Sequence, residues 1–587
     1  MIKKLSGCIR EYKLPSILAP LFVSFEVVME VVIPYYMGKL LDEGIKGGVN
    51  GEGDMDYIIK VGIMLAVFCV LSLTFGVLAG RYAAKAASGF AKNLRHDMFY
   101  NLQNFSFSNI DKFSVSSLVT RLTTDVTNMQ NAYQMIIRTA VRAPMMLVFS
   151  LIMAIRVNAK LSVIFLVIIP FLGFCLYLIT SHAHPLFEKM FKMYDRLNRV
   201  VSENLHGIRV VKSFVRQERE KEKFNDASGR IYDNSVKAEK ILAFNSPVMQ
   251  LSSYAAMLLL SWFGAKMIVG SNGEAGAMTT GDLFVMISYS MQILMTLMML
   301  SMIFVMITMS KASGERICEV LSEESSIKNC ENPVYEVSDG SIEFENVGFS
   351  YKGDENKLCL KDVNIKINSG ETVGILGATG SSKTSFVQLI PRLYDVTKGA
   401  VKVGGRDVRE YDIETLRNAV AMVLQKNVLF SGTIKDNLRW GNENATDEEL
   451  VEACKLAQAD GFINELPDGY DTYIEQGGTN VSGGQKQRIC IARSLLKKPK
   501  ILILDDSTSA VDTKTDALIR KAFAKSIPDT TKIIIAQRIS SVEHADKIIV
   551  LDGGEVAAFG THEQLLETSE IYSQVYHSQM KGGKENG

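Results

Sequence analysis

Apolar residues are spread unevenly along this chain. In the first half they gather into six runs, near 17–37, 59–80, 136–155, 161–181, 248–269 and 281–309. Each is long enough to cross a bilayer as a helix, which takes about 20 apolar residues. The outer connections are short: Gly38–Tyr57, Arg156–Lys160 and Gly270–Gly281. The inner ones, Arg81–Met135 and His182–Ser246, are long, polar and rich in Lys and Arg. Lys3, Lys4, Arg10 and Lys13 precede the first run and place the N-terminus in the cytosol. That run continues from about Leu14 to Met37 without a cleavage site, so it reads as a retained span and not a signal peptide. An even number of spans returns the second half to the cytosol.

The inner connections carry helical patterning, which predicts two long helices in each, turning around Ser108–Ser116 and Glu203–Val215. About 25 residues at 1.5 Å per residue reach nearly 40 Å beyond the membrane. Lys311–Gly340 shifts to Glu, Ser, Lys and Asn and reads as a linker. From Ser341 short apolar strands such as Ile342–Phe344 and Val373–Leu376 alternate with helical patterns. The expected fold is an all-α six-helix transmembrane domain (17–310, after a cytosolic segment 1–16) followed by a cytosolic α/β P-loop nucleotide-binding domain with a β subdomain (341–578). Residues 579–587 are expected to be a disordered tail.

With 587 residues the chain must divide into several domains. Its 64 basic and 64 acidic side chains cancel, so bulk charge points to no nucleic acid or other polyanion. Eight cysteines lie scattered without paired spacing, which supports neither a disulfide framework nor a zinc site.

The densest chemistry is in Glu371–Ser385, ETVGILGATGSSKTS. A strand pattern runs into a loop, Gly377, Ala378, Thr379, Gly380, Ser381, Ser382, Lys383, Thr384, Ser385, and then into a helix. That is the setting of a phosphate-binding loop, whose backbone N–H groups point at phosphate oxygens. Lys383 is placed to reach the outer phosphates and the Thr384 hydroxyl to ligate Mg2+. Ser382 stands where the pattern has glycine. Ile501–Asp506 is a buried strand pattern ending in two carboxylates, of which Asp505 suits the metal, and Ser509–Asp512 follows it. Val481–Arg488 (VSGGQKQR) opens a helix whose N-terminus can bind phosphate. Gln425 can sense metal and attacking water, and Tyr351 can stack on adenine.

In that order these motifs resemble an ATP-binding-cassette exporter half-transporter over nearly the full length. The resemblance implies an A-loop tyrosine at Tyr351, Walker A at 377–385, a Q-loop at Gln425, and the signature Ser482, Gly483, Gly484, Gln485. It further implies Walker B ending at Asp505, a D-loop with Asp512, and a switch at Gln537. It implies ATP and Mg2+ (on Thr384, Gln425 and Asp505), and a second half-transporter whose signature closes over this chain's Walker A. The family's base after Walker B is glutamate, here Asp506; its switch is histidine, here Gln537. These departures predict a slow catalytic site of Asp506, Gln537 and Gln425, and a heterodimer in which a partner supplies the competent site. The pattern resembles heterodimeric bacterial multidrug-type exporters in the plasma membrane, moving amphipathic or lipophilic cargo. A homodimeric exporter, a lipid flippase, and a regulatory or ATP-gated subunit are the alternatives.

In the spans, Glu26 and Glu30 lie four apart on one face and are a candidate cargo path for cations. Pairing between helices is the plainer reading. Met291, Met295, Met298, Met302, Met306 and Met309 form a stripe suited to an adaptable apolar wall or to helix packing. Arg138 and Arg142 are expected to snorkel to headgroups.

Overall fold

The computed structural model describes residues 1–45, 53–270, 278–506 and 511–584. The chain divides into two units, 1–103 with 115–323, and 104–114 with 324–587.

In the first unit six helices among the described residues are long and apolar enough to cross a membrane. The six apolar runs lie in helices Lys13–Lys39, Met55–Gln103, Val126–Val157, Ala159–His206, Asn245–Gly270 and Thr280–Ser322. Small residues let the first two pack closely: Ala19, Ala79, Ala83 and Ala86 are fully buried. The outer end of the first helix is tied to the start of the sixth, because Asp42 accepts from the Thr279 hydroxyl and from Gly281 N at 2.9 Å. The second and fourth helices continue far past the apolar runs, and the chain breaks at 104–106 and at Gly207.

Two expected boundaries are corrected. Lys311–Ser322 is no linker but the last turns of the sixth spanning helix. Its polar composition hides a helical stripe: Ser313, Ile317 and Val320 are buried, and Arg316 pairs with the buried Asp125. Glu324–Gly340 in turn packs on the second unit. Val334 bridges to Tyr411, and Val337 is part of the apolar core.

The second unit also captures 104–114, a segment that the sequence places between spans. Its helix Phe107–Lys112 is capped by Ser106. Asn109 donates to Glu324 O at 3.0 Å and accepts from Ser326 N at 3.2 Å.

The body of this unit has two main sheets and a small two-stranded one, β7 (Gly432–Thr433) with β8 (Tyr473–Ile474). Strands β1 (Ile342–Phe349), β2 (Leu360–Ile367), β4 (Lys398–Val403) and β5 (Arg406–Asp407) form an antiparallel sheet in the order β2-β1-β4-β5. The second contains β3 (Thr372–Leu376), β6 (Val420–Val423), β9 (Ile501–Asp505), β10 (Thr531–Ile535), β11 (Lys547–Asp552) and β12 (Glu555–Gly560). Its order is β12-β11-β3-β10-β9-β6, parallel except for β12. Strands buried on both faces explain the unbroken runs TVGIL, ILILD and TKIII. In such sheets ligands bind beyond the carboxyl ends of the strands. Here β3, β9 and β10 end at Leu376, Asp505 and Ile535, just before the phosphate loop, Asp506 and Gln537.

The last helix, Glu570–Lys584, corrects the expected tail, since it continues six residues past Ser578. Its Gln579 side chain accepts from Ile539 N at 2.9 Å and donates to Gln537 O at 3.0 Å, which anchors the helix to the body of the unit.

Candidate functional site

The phosphate loop follows β3 and ends in the helix Lys383–Gln388. Glycine is required at Gly377 because a Cβ there would collide with Leu551 O of the neighbouring strand. Gly380 has φ +88°, left-handed backbone that side chains resist. Ser382 has φ +68° and ψ +22°, the same region. A glycine would sit there freely, whereas a serine pays about 1 kcal/mol. Lys383 folds back on its own loop and donates to Gly377 O and Ala378 O, both at 2.8 Å. Burial pushes the Lys383 ammonium below its usual value, while Asp505 and Asp506 hold it up. A phosphate placed in this loop would take over the role of those carbonyls.

Thr384 and Asp505 meet as the sequence expects, the hydroxyl donating to Asp505 Oδ2 at 2.9 Å. Asp505 is buried, and that burial raises its pKa; the Asp506 charge adds to the rise, and Thr384 and Lys383 oppose it. Two hard oxygen donors side by side suit Mg2+, which completes its shell with phosphate and water. The residues present therefore fit the metal.

Asp506 lies one residue beyond β9 with φ +49°. Its amide donates to Ile535 O at 3.1 Å, and Gln537 Nε2 donates to Asp506 Oδ2 at 2.8 Å. Gln425 Nε2 approaches the same oxygen at 3.4 Å. The three residues named as catalytic thus converge on one carboxylate oxygen, with two carboxamides as donors. Gln579 holds the backbone carbonyl of Gln537 from behind. Nothing in the tail sequence signals that contact, because it joins positions 42 apart.

Tyr351 is half-exposed, and its hydroxyl pairs with Ser385 Oγ at 2.8 Å. Edge-on against it lies Tyr394, ring centroids 5.1 Å apart, whose hydroxyl donates to Asp111 at 2.6 Å. Burial raises both phenols, and Asp111 raises Tyr394 further. Sequence reading missed Tyr394 and Asp111, for they share no motif.

Ser482 caps the helix Gly483–Leu495 and forms a reciprocal box with Gln485: Ser482 N donates to Gln485 Oε1 at 2.8 Å. So Gln485 holds the helix start in shape, leaving the N–H groups of Gly483 and Gly484 for a ligand. Among the described residues no hydrogen bond or ion pair joins 482–485 to the phosphate loop. Asp512 caps the helix Thr513–Ser526, accepting from Thr515 N at 3.0 Å, and hydrogen bonding by the Thr515 side chain, together with that amide, lowers its pKa. Residues 507–510, including Ser509, lie outside the described residues.

In the first unit the structure corrects the expectation for Arg142. It does not snorkel: its guanidinium bridges Glu26 Oε1 and both Glu30 oxygens at 2.8 Å each. The two carboxylates are therefore held chiefly by pairing between the first and third spanning helices. In the methionine stripe, Met291, Met295, Met298 and Met302 are exposed on the unit's surface, and Met309 lies outside the described side chains.

Comparison with known proteins gives a consistent picture. The ABC transporter transmembrane region family matches residues 16–313, and the ABC transporter family of ATP-binding domains matches 360–509. The chain is 37% identical to the uncharacterized ABC transporter ATP-binding protein YfiB of Bacillus subtilis, over 98% of both chains. It is 36% identical to the uncharacterized ABC transporter ATP-binding protein MT1311 of Mycobacterium tuberculosis, over 97% of both. Among solved structures, a bacterial Atm1-family ABC exporter with ATP bound matches with a TM-score of 0.82. It is 25% identical, and the match covers 97% of this chain and 99% of that one.

Proposed function

This chain belongs to the ABC transporter family, and on that premise we propose that it is the slow-site half of a heterodimeric exporter. Its six spanning helices and ATP-binding domain make it a multi-pass membrane ATPase coupled to export, with its cassette in the cytoplasm and working as a dimer by alternating access. The proposal concerns how labour divides within that dimer.

One observation carries it: Asp506 accepts a 2.8 Å hydrogen bond from the Gln537 carboxamide. A general base must reach the attacking water, and a misplacement of about 1 Å costs roughly 100-fold. Aspartate is one methylene shorter than glutamate, and its Oδ2 is occupied by amide donors. Gln537 can hydrogen-bond to a phosphate but cannot exchange a proton as an imidazole can. ATP on Lys383, with Mg2+ on Thr384 and Asp505, is then held firmly and cleaved slowly. The signature Ser482–Gln485 is complete and serves the site of a non-identical partner.

The cargo on this reading is an amphipathic or lipophilic molecule, supported by the exposed methionines of the sixth span. The test is ATP turnover by the purified chain alone and with a partner half carrying glutamate and histidine at these two positions. Slow turnover alone and fast turnover together support the reading; equal, fast turnover by the chain alone overturns it.

A further inference from the structure

A cleft of about 730 Å³ opens between the first three spanning helices. Gly76 and Gly80, one turn apart on the second, form its floor. A Cβ on Gly76 would stand 3.1 Å from Glu26 Oε1, and one on Gly80 would stand 3.6 Å from an Arg138 guanidinium nitrogen. Four helical residues advance about 6 Å, so a carboxylate and a guanidinium face the cleft roughly that far apart along the second helix. Glu26 is only 6% exposed, and its Oε2 has no hydrogen-bond partner. Such an orphaned carboxylate oxygen in a bilayer span calls for a donor. Arg138 lines the same cleft and has no hydrogen bond or ion pair among the described residues. Arg81 stands exposed at the cytosolic mouth. The rim beside it is apolar and open, with Leu73 and Val77 more than half exposed.

Charge selects the ligand. Glu26 and Glu30 are balanced by Arg142 and Arg138, and Arg142 already uses three of the four carboxylate oxygens. A bare cation would meet one unpartnered oxygen and a repelling guanidinium, and a bare anion the reverse. A ligand with an ammonium and a phosphate about one helical turn apart answers both ends without adding net charge. An N–H must point at Oε2, which a quaternary ammonium lacks. The exposed apolar rim suits acyl chains.

We propose that this cleft binds the headgroup of an aminophospholipid, with its primary ammonium on Glu26 Oε2 and its phosphate on Arg138. This goes beyond the reading of the ATP site and stands whether that site is slow or fast.

The test is native mass spectrometry of the full chain in detergent, titrated with phosphatidylethanolamine, phosphatidylcholine and phosphatidylglycerol of identical acyl chains. Phosphatidylethanolamine is expected to be retained about tenfold better than the others, the worth of one charge-assisted hydrogen bond. Glu26→Gln should erase its advantage over phosphatidylcholine. Arg138→Gln, which leaves the Arg142 bridge untouched, should weaken phosphatidylethanolamine binding even if the first variant folds poorly. Equal retention of the three lipids by the wild type, or phosphatidylethanolamine binding that Arg138→Gln fails to weaken, overturns the assignment. So does displacement by tetraphenylphosphonium that Arg138→Gln leaves unchanged, which would mark a cation site. Soluble phosphoethanolamine competing as well as the lipid would mark a free-headgroup site and equally overturn it.

Discussion

The bridge in the membrane spans and the phosphate loop handle partly buried charge in opposite ways. In the spans, Arg142 is fixed between two carboxylates from another helix. The bilayer supplies no counter-ion, so the fold must provide one. In the cassette, Lys383 rests on two backbone carbonyls and Asp505 on a hydroxyl. These are weak neutral partners that a phosphate and a metal replace. Arg142, answered on both sides by carboxylates, builds the structure; Lys383 and Asp505, answered only by neutral groups, wait for a ligand.

The largest effect expected from this contrast is on stability. Arg142→Leu leaves two carboxylates without their cation, and breaking such a buried pair costs about 3–5 kcal/mol. A large fall in the thermal midpoint of the detergent-solubilised chain should follow, whereas Lys383→Ala should leave that midpoint almost unchanged and abolish ATP binding. If the two variants destabilise equally, the contrast fails. Next comes turnover. Asp506→Glu with Gln537→His, assayed in the assembled transporter, should raise hydrolysis about 100-fold at this chain's site. Each change alone should do much less, because the carboxylate and the switch share one hydrogen bond. Smaller still is Ser382→Gly, which relieves left-handed strain of about 1 kcal/mol. ATP affinity, read by nucleotide-dependent thermal shift, should tighten a few-fold if the strained loop must tighten around phosphate; an unchanged affinity would assign the strain to folding alone.

The smallest effect is on pH dependence. Burial raises Asp505 above the ordinary aspartate value. Between those two values the folded protein holds a proton that the unfolded chain has lost. Asp505 therefore makes the nucleotide-free cassette less stable as pH rises through that window and more stable as it falls. Mg2+-dependent ATP binding should run the other way, since it needs the carboxylate charged. Asp505→Asn should flatten both trends, and a wild-type profile that keeps its slope in that variant would remove Asp505 as their source.

Much of the site was legible because its parts are local. A strand, a glycine loop and a helix start lie within fifteen residues, and a strand ending in two aspartates is equally contiguous. Both are short-range consequences of backbone geometry. The spans were legible for a similar reason, since hydropathy alone sets a bilayer crossing. The misread segments are those in which composition and environment part company. Lys311–Ser322 is polar overall yet helical, because only every third or fourth side chain needs to be buried. The end of the chain, KGGKENG at 581–587, is rich in glycine and charge, yet Gln579 just before it is held by two hydrogen bonds to the backbone.

By itself, then, the sequence determined six spans, an ATP-binding domain and the identity of every residue in the phosphate loop. It also determined that Asp506 and Gln537 depart from the family's acid and imidazole. Only the tertiary structure decided that Arg142 answers Glu26 and Glu30, and that Gln537 and Gln425 converge on one oxygen of Asp506. It alone revealed that Ser382 occupies left-handed backbone and that 104–114 belongs with the ATP-binding unit. The reason is separation along the chain: Arg142 and Glu26 are 116 positions apart, Gln425 and Asp506 are 81. Local rules govern how a segment bends, whereas the partner of a charge is set by which helices and strands the whole chain brings side by side.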